Sequence, residues 1–178
     1  MQQLLGWVNE ALLKKEDMLR CFSNLGVQVE GWLKAEILFQ LERKMQEGLI
    51  DKFDREVRVG RTRRKLDLLV SVQGIVYVLE LKHWLIGQQR GQQWNSRQHF
   101  NAAAKQLERQ ASDLSRFRGE GYFLILTTRN PGESDWSRGL QYIQERLRRR
   151  HISLQSITEP QQFPEHYFLG LLKVNRKP

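Results

Sequence analysis

Residues 75–81, Ile75-Val76-Tyr77-Val78-Leu79-Glu80-Leu81, are nearly all apolar and read as one deeply buried strand. That run ends in two ionisable residues, Glu80 and Lys82. They are two positions apart on a strand, so their side chains leave the same face. Ionisable groups at the end of a buried strand are unfavourable unless they are paired or used. Any fold for this chain has to give Glu80 and Lys82 partners. An ordinary cross-strand salt bridge is one solution and a chemical site is the other.

The preceding residues narrow the choice. Residues 66–72 read as a second strand, joined to the first by a tight turn at Gln73-Gly74. Counting back from the turn, Asp67 and Glu80 lie at similar distances, so the two carboxylates can sit side by side. Adjacent carboxylates repel, and a divalent cation relieves that repulsion. Hard oxygen ligands suit Mg²⁺ or Mn²⁺. A lysine beside such an ion can orient a water and stabilise charge that develops on phosphate. Residues 53–59 alternate as a further strand, which completes an antiparallel meander.

Around this meander the chain reads as alternating helices and strands. Residues 1–22 carry Leu4, Leu5, Val8, Leu12 and Leu19 on one helical stripe and read as a single helix, stopped at Ser23-Asn24-Leu25-Gly26. A second helix is expected over 31–47. A glutamine-rich irregular stretch follows the meander. Then come a long helix over 98–118, a short buried strand over 122–126 and a turn at Asn130-Pro131-Gly132. A helix capped by Ser134 or Asp135 reaches about Arg149, and a last strand spans 152–157. The order is α-α-β-β-β-α-β-α-β, with a tail. No repeat or long linker divides the chain, so 1–178 is expected to be one domain, with residues 1–26 appended to the core.

With Asp67, Glu80 and Lys82 in hand, a family resemblance follows. Asp67…Glu80-Leu81-Lys82 resembles the D…(D/E)-x-K signature of the PD-(D/E)XK nuclease superfamily. The stretch Lys82-His83-Trp84-Leu85-Ile86-Gly87, followed by Trp94, Asn101 and Gln106, is similar to the nuclease-related branch of that superfamily. The resemblance covers roughly residues 31–128. It implies a restriction-endonuclease-like three-layer α/β/α core with a mixed central sheet. By the same resemblance, Glu36 matches the helix acid that precedes the core strands, with Glu42 as the alternative. Asp67 and Glu80 would hold Mg²⁺ or Mn²⁺, with the Leu81 carbonyl as an added ligand and Glu36 completing the shell. Lys82 would position the attacking water. Gln106, helped by Lys105 or Gln110, would orient Lys82 or a phosphate oxygen. The proline that usually precedes the first acid is replaced here by Lys65-Leu66.

Charge points the same way. Lys+Arg is 29 against 20 Asp+Glu in 178 residues, a formal +9, which suits a polyanionic partner. Arg55, Arg58, Arg61, Arg63, Arg64 and Lys65 cluster on the first hairpin, beside the expected site. Of these, Arg61, Arg63, Arg64 and Lys65 are the expected phosphate contacts, with His83 as a further donor. A second cluster, Arg146 to Arg150, sits at a helix C-terminus, where cations are favoured in any case. The single cysteine, Cys21, excludes an intrachain disulfide and a Cys-based zinc site. No apolar run approaches the ~18 residues of a membrane span. Asn9 and Glu10 interrupt the start of the chain, where a signal peptide needs an apolar stretch. A cytoplasmic nuclease acting on DNA, with RNA still open, is therefore the expectation. A binding or assembly protein that keeps the same fold is the alternative. The stripe Leu4, Leu5, Val8 and Leu12 is either a dimer face or a lid on the core.

Overall fold

A computed structural model describes residues 1–58, 65–84, 96–117, 119–127, 132–157 and 167–176. In chain order the elements are α1 (Gln2–Leu13), α2 (Glu16–Leu25), α3 (Glu30–Gln46), β1 (Lys52–Arg58), β2 (Lys65–Val72) and β3 (Ile75–Trp84). They continue with α4 (Ser96–Leu114), β4 (Glu120–Thr127), α5 (Gly132–Arg148), β5 (Ile152–Ser156) and β6 (Phe168–Arg176). The six strands form one mixed sheet in the order β1-β2-β3-β4-β6-β5. Only β3 and β4 run parallel, and α4 connects them; the other pairs are antiparallel.

Strand alternation sends side chains into two separate cores. Val78, Phe123, Ile125, Leu172 and Val174 meet Leu107, Ala111 and Leu114 of α4 and Trp136, Leu140, Ile143 and Leu147 of α5. Leu79, Leu81, Leu124, Leu126, Leu169 and Leu171 face the other way. They pack on Leu4, Val8 and Leu12 of α1, Leu19 of α2, and Leu33, Ile37 and Leu41 of α3. The sheet is therefore covered by helices on both faces, as strands apolar on both faces require.

The hairpin between β2 and β3 turns at Gln73 (φ 51°) and Gly74 (φ 76°), two left-handed residues in succession, which matches the right-handed twist of the strands. Asp51 pins it, accepting from the Gly74 N–H at 2.9 Å and the Ser71 hydroxyl at 3.1 Å. This turn fixes the register Val72↔Ile75 to Leu68↔Leu79.

Several elements differ from the sequence-based expectation. The single helix over 1–22 is two helices, broken at Lys14 and Lys15. Leu12 and Leu19 are both fully buried and seven residues apart, so the apolar stripe runs across the break and conceals it. The break turns Lys15 inward, onto Glu36 and over the Trp32 ring. Helix α3 begins at Glu30, one residue early, and α5 begins at Gly132, ahead of the Ser134–Asp135 cap. The expected tail contains a strand, β6, inserted between β4 and β5. It carries apolar residues to both cores and so lacks the apolar-polar alternation that marks a half-buried strand.

Among the described residues, no helix is long and apolar enough to cross a membrane. Phe123 on β4 is fully buried among residues of both α4 and α5. Truncating it by Phe123→Ala is expected to lower unfolding free energy by about 3–5 kcal/mol. Urea unfolding measures this, and a loss below ~1 kcal/mol would contradict the two-core packing.

Candidate active site

The site forms where the β2–β3 ladder stops. Leu66 and Leu68 lie two residues apart yet pack into opposite cores, so the alternation of β2 slips at Asp67. Beyond the rung Leu68↔Leu79, the Leu81 N–H has its bond to the side chain of Asp67, at 3.0 Å from Oδ2. The carboxylate satisfies a buried donor there and is held against β3 in doing so.

Continuing the hairpin register by one rung places Asp67 opposite Glu80, close enough for each carboxyl to shift the pKa of the other. Glu80 is the member of the pair that favours the protonated form. Burial, and next the charge of Asp67, push its pKa up to about 8. Burial opposes ionisation of Asp67 as well. The Leu81 N–H, Glu80, Lys34 and Lys82 outweigh it and hold Asp67 below the ordinary carboxylate value. One acid of the pair is thus kept ionised and the other neutral, as expected for two carboxyls without room for two charges.

Lys82 lies on the same face of β3 and is buried, with Nζ 3.5 Å from Glu80 Oε2 and 3.7 Å from Glu30 Oε1. Gln110 of α4 closes the face from the other side, its amide nitrogen donating to Glu80 Oε2 at 3.1 Å. The amide oxygen of Gln110 is buried and has no partner among the described residues. Lys34 of α3 reaches Asp67 Oδ1 at 3.1 Å.

The position of α3 follows from contacts with the end of β3. The Val29 N–H donates to His83 Nδ1 at 3.2 Å, and the His83 N–H donates to Glu30 Oε2 at 3.4 Å. The imidazole satisfies one of the free donors at the start of the helix. Burial lowers the His83 pKa to about 4, which keeps the ring neutral and able to accept. The start of α3, carrying Glu30 and Lys34, is thereby attached to the strand that carries Glu80 and Lys82.

Of the expected residues, Asp67, Glu80, Leu81 and Lys82 come together. Glu36 does not join them. It is buried beneath α1, where Lys15 and Gln40 hold its carboxylate in a crevice of about 240 Å³ that Trp7, Lys14 and Phe39 also line. The alternative, Glu42, is exposed and bonded to Gln46. The acid of α3 beside Lys82 is Glu30, which the sequence reading passed over. Gln106 is exposed, as is Lys105, and Gln110, one turn further on, makes the contact. His83 is 4 % exposed and faces the α3 side of the sheet, where it accepts from the Val29 N–H, away from the face of Glu80 and Lys82. Lys65 is exposed and bonded to Glu56 at 2.7 Å. Arg61, Arg63, Arg64 and Trp94, and the side chain of Asn101, lie outside the described residues. Within the second basic cluster, Arg146 and Arg150 pair with Glu108 of α4, at 3.2 and 2.8 Å. That accounts for two of its cations by helix pairing alone.

No family model, curated protein or solved structure matches this chain. Among the described residues, no group of three or more His, Cys, Asp and Glu side chains gathers as a metal cluster. The acids that converge here are a pair, Asp67 and Glu80, with Glu30 reached through Lys82.

The shifted groups set opposite limits on stability. With a folded pKa of about 8 against an ordinary 4.5, Glu80 binds more protons in the fold than in the open chain. Its contribution is therefore present at low pH and is lost as pH rises from 4.5 through 8. His83, lowered from 6.5 to about 4, contributes stability that is lost as pH falls through that window. In a metal-free buffer, melting temperature is expected to fall between pH 6.5 and 8 in the wild type, and much less in Glu80→Gln. Equal slopes in the two proteins would contradict the carboxyl pair.

Proposed function

We propose that this chain is a metal-dependent nuclease that hydrolyses phosphodiester bonds in DNA, using Mg²⁺ or Mn²⁺. The observation that carries the proposal is the Asp67–Glu80 pair: two largely buried carboxyls on facing residues of one hairpin, whose joint ionisation is opposed by burial and by mutual repulsion and is favoured by added positive charge. A divalent ion is the partner that such a pair lacks. The arrangement suits the restriction-endonuclease-like fold. Its acids lie on a β-hairpin inside a mixed sheet covered by helices on both faces.

In this reading Asp67 and Glu80 are the ion's carboxylate ligands, and the Leu81 carbonyl between Glu80 and Lys82 adds a third oxygen. A divalent ion held by these oxygens would supply Lewis-acid polarisation of the phosphate and a water of lowered pKa. Lys82 orients the attacking water and offsets the negative charge that builds on the phosphoryl oxygens. Its own charge is balanced by Glu80 and Glu30, which keep its ammonium in a buried place. Glu30, on the same helix as Glu36, acts on Lys82 and does not complete the ion's shell. Gln110 takes the role expected for Gln106 and holds Glu80 in orientation. Arg55, Arg58 and Lys65, exposed along β1 and at the start of β2, flank the approach and suit a polyanion.

One observation favours a second reading, a nucleic-acid-binding protein that keeps the fold without the reaction. Lys34 already pairs with Asp67, which gives the carboxylate a counter-charge of the chain's own. Calorimetric titration with Mn²⁺ separates the two, since only the nuclease reading requires an ion at Asp67.

Activity on duplex, single-stranded and branched DNA, with RNA in parallel, is expected only with Mg²⁺ or Mn²⁺. Asp67→Asn and Lys82→Ala are each expected to reduce cleavage by at least about 100-fold. Glu36→Gln is expected to retain cleavage within about fivefold, because Glu36 faces the α1 crevice and makes no contact with the pair. Cleavage that survives Asp67→Asn, or is abolished by Glu36→Gln in a folded protein, would reject this assignment.

A further inference from the structure

Lys34 is the only cation of α3 in contact with the carboxyl pair among the described residues, and it stands between two acids. Its Nζ is 3.1 Å from Asp67 Oδ1 and 3.9 Å from Glu56 Oε1. Glu56 lies across β1–β2 from Asp67, between the rungs Arg55↔Leu68 and Val57↔Leu66. Its backbone is left-handed, at φ 55° in the middle of a strand. A glutamate held in that region is uncommon and strained, and such strain persists where the surroundings require the side chain in one place. Here the place is beside Lys34, with Lys65 on the other oxygen. The Lys34 side chain is 24 % exposed, so it has room to move, while Asp67 is fixed by the Leu81 N–H.

We propose that Lys34 is a tethered cation that occupies the counter-charge position of Asp67 when no divalent ion is bound, and transfers to Glu56 when one binds. The inference rests on the metal-site reading of Asp67 and Glu80. Lys34 and the ion are alternatives at one carboxylate, and like charges at that separation exclude one another. Glu56 provides the second position, 3.9 Å away in the present arrangement, so the ammonium keeps an acid partner in both states. The site is in this way balanced without metal, and its affinity for metal is set by the difference between the two positions of one side chain. Lys34 thereby determines how much free Mg²⁺ or Mn²⁺ the site needs, without itself touching the reacting phosphate.

Calorimetric titration with Mn²⁺ tests this without any measurement of cleavage. Lys34→Met removes the competitor and is expected to tighten Mn²⁺ binding by about tenfold. Glu56→Gln leaves the Lys34–Asp67 pair intact but removes the second position, and is expected to weaken Mn²⁺ by about threefold. If Lys34→Met does not fold, Glu56→Gln decides alone. Mn²⁺ binding that is unchanged by either variant, or weakened by Lys34→Met, overturns the inference while leaving the metal site standing. Absence of Mn²⁺ binding in both wild type and Lys34→Met overturns the metal site and the inference together. Binding in Lys34→Met alone supports both.

Discussion

The contact between the Asp67 and Glu80 carboxyls governs the rest of the site. Two acids on facing residues of one hairpin, both largely removed from water, favour a single negative charge between them. Every neighbour responds to that constraint. Asp67 keeps the charge because the Leu81 N–H and Lys34 donate to it. Burial and the Asp67 charge raise the Glu80 pKa, and Gln110 donates to Glu80 Oε2. Lys82 is buried beside them, with Glu80 Oε2 3.5 Å and Glu30 Oε1 3.7 Å from its Nζ.

The fold makes this contact by ending one ladder early. The Gln73-Gly74 turn sets the register, and the slip of β2 at Asp67 releases the strand from β3 at the rung where the two acids meet. The opening is filled from the other face by the start of α3, which His83 attaches to the end of β3. The buried His83 thus fixes where Glu30 and Lys34 stand.

How much of this the sequence revealed follows from where each residue's position is decided. Asp67, Glu80 and Lys82 were legible because a two-residue turn fixes hairpin register, and register fixes which side chains face one another. The two helix-borne partners were not. Glu30 and Glu36 sit six residues apart on α3, about 120° around its axis, so they face different neighbours. Which one meets β3 depends on how α3 docks, and that depends on His83, 53 residues away from Glu30. Gln106 and Gln110 share a helix face but differ by about 6 Å along it, a distance that periodicity cannot resolve. Glu30 also sits in the first turn of its helix, where an acid is expected for electrostatic reasons alone. The break between α1 and α2 and the insertion of β6 were hidden for a related reason. In both, the apolar pattern is the same whether or not the chain turns.

The central claim is that Asp67 and Glu80 form one cation site. A crystal structure of the wild-type protein grown with Mn²⁺, with the ion located by its anomalous signal, tests it most directly. The expected result is one Mn²⁺ with an oxygen of Asp67 and an oxygen of Glu80 each within about 2–2.5 Å, and Lys34 displaced from Asp67 toward Glu56. Mn²⁺ bound elsewhere, with Lys34 still on Asp67, would contradict it.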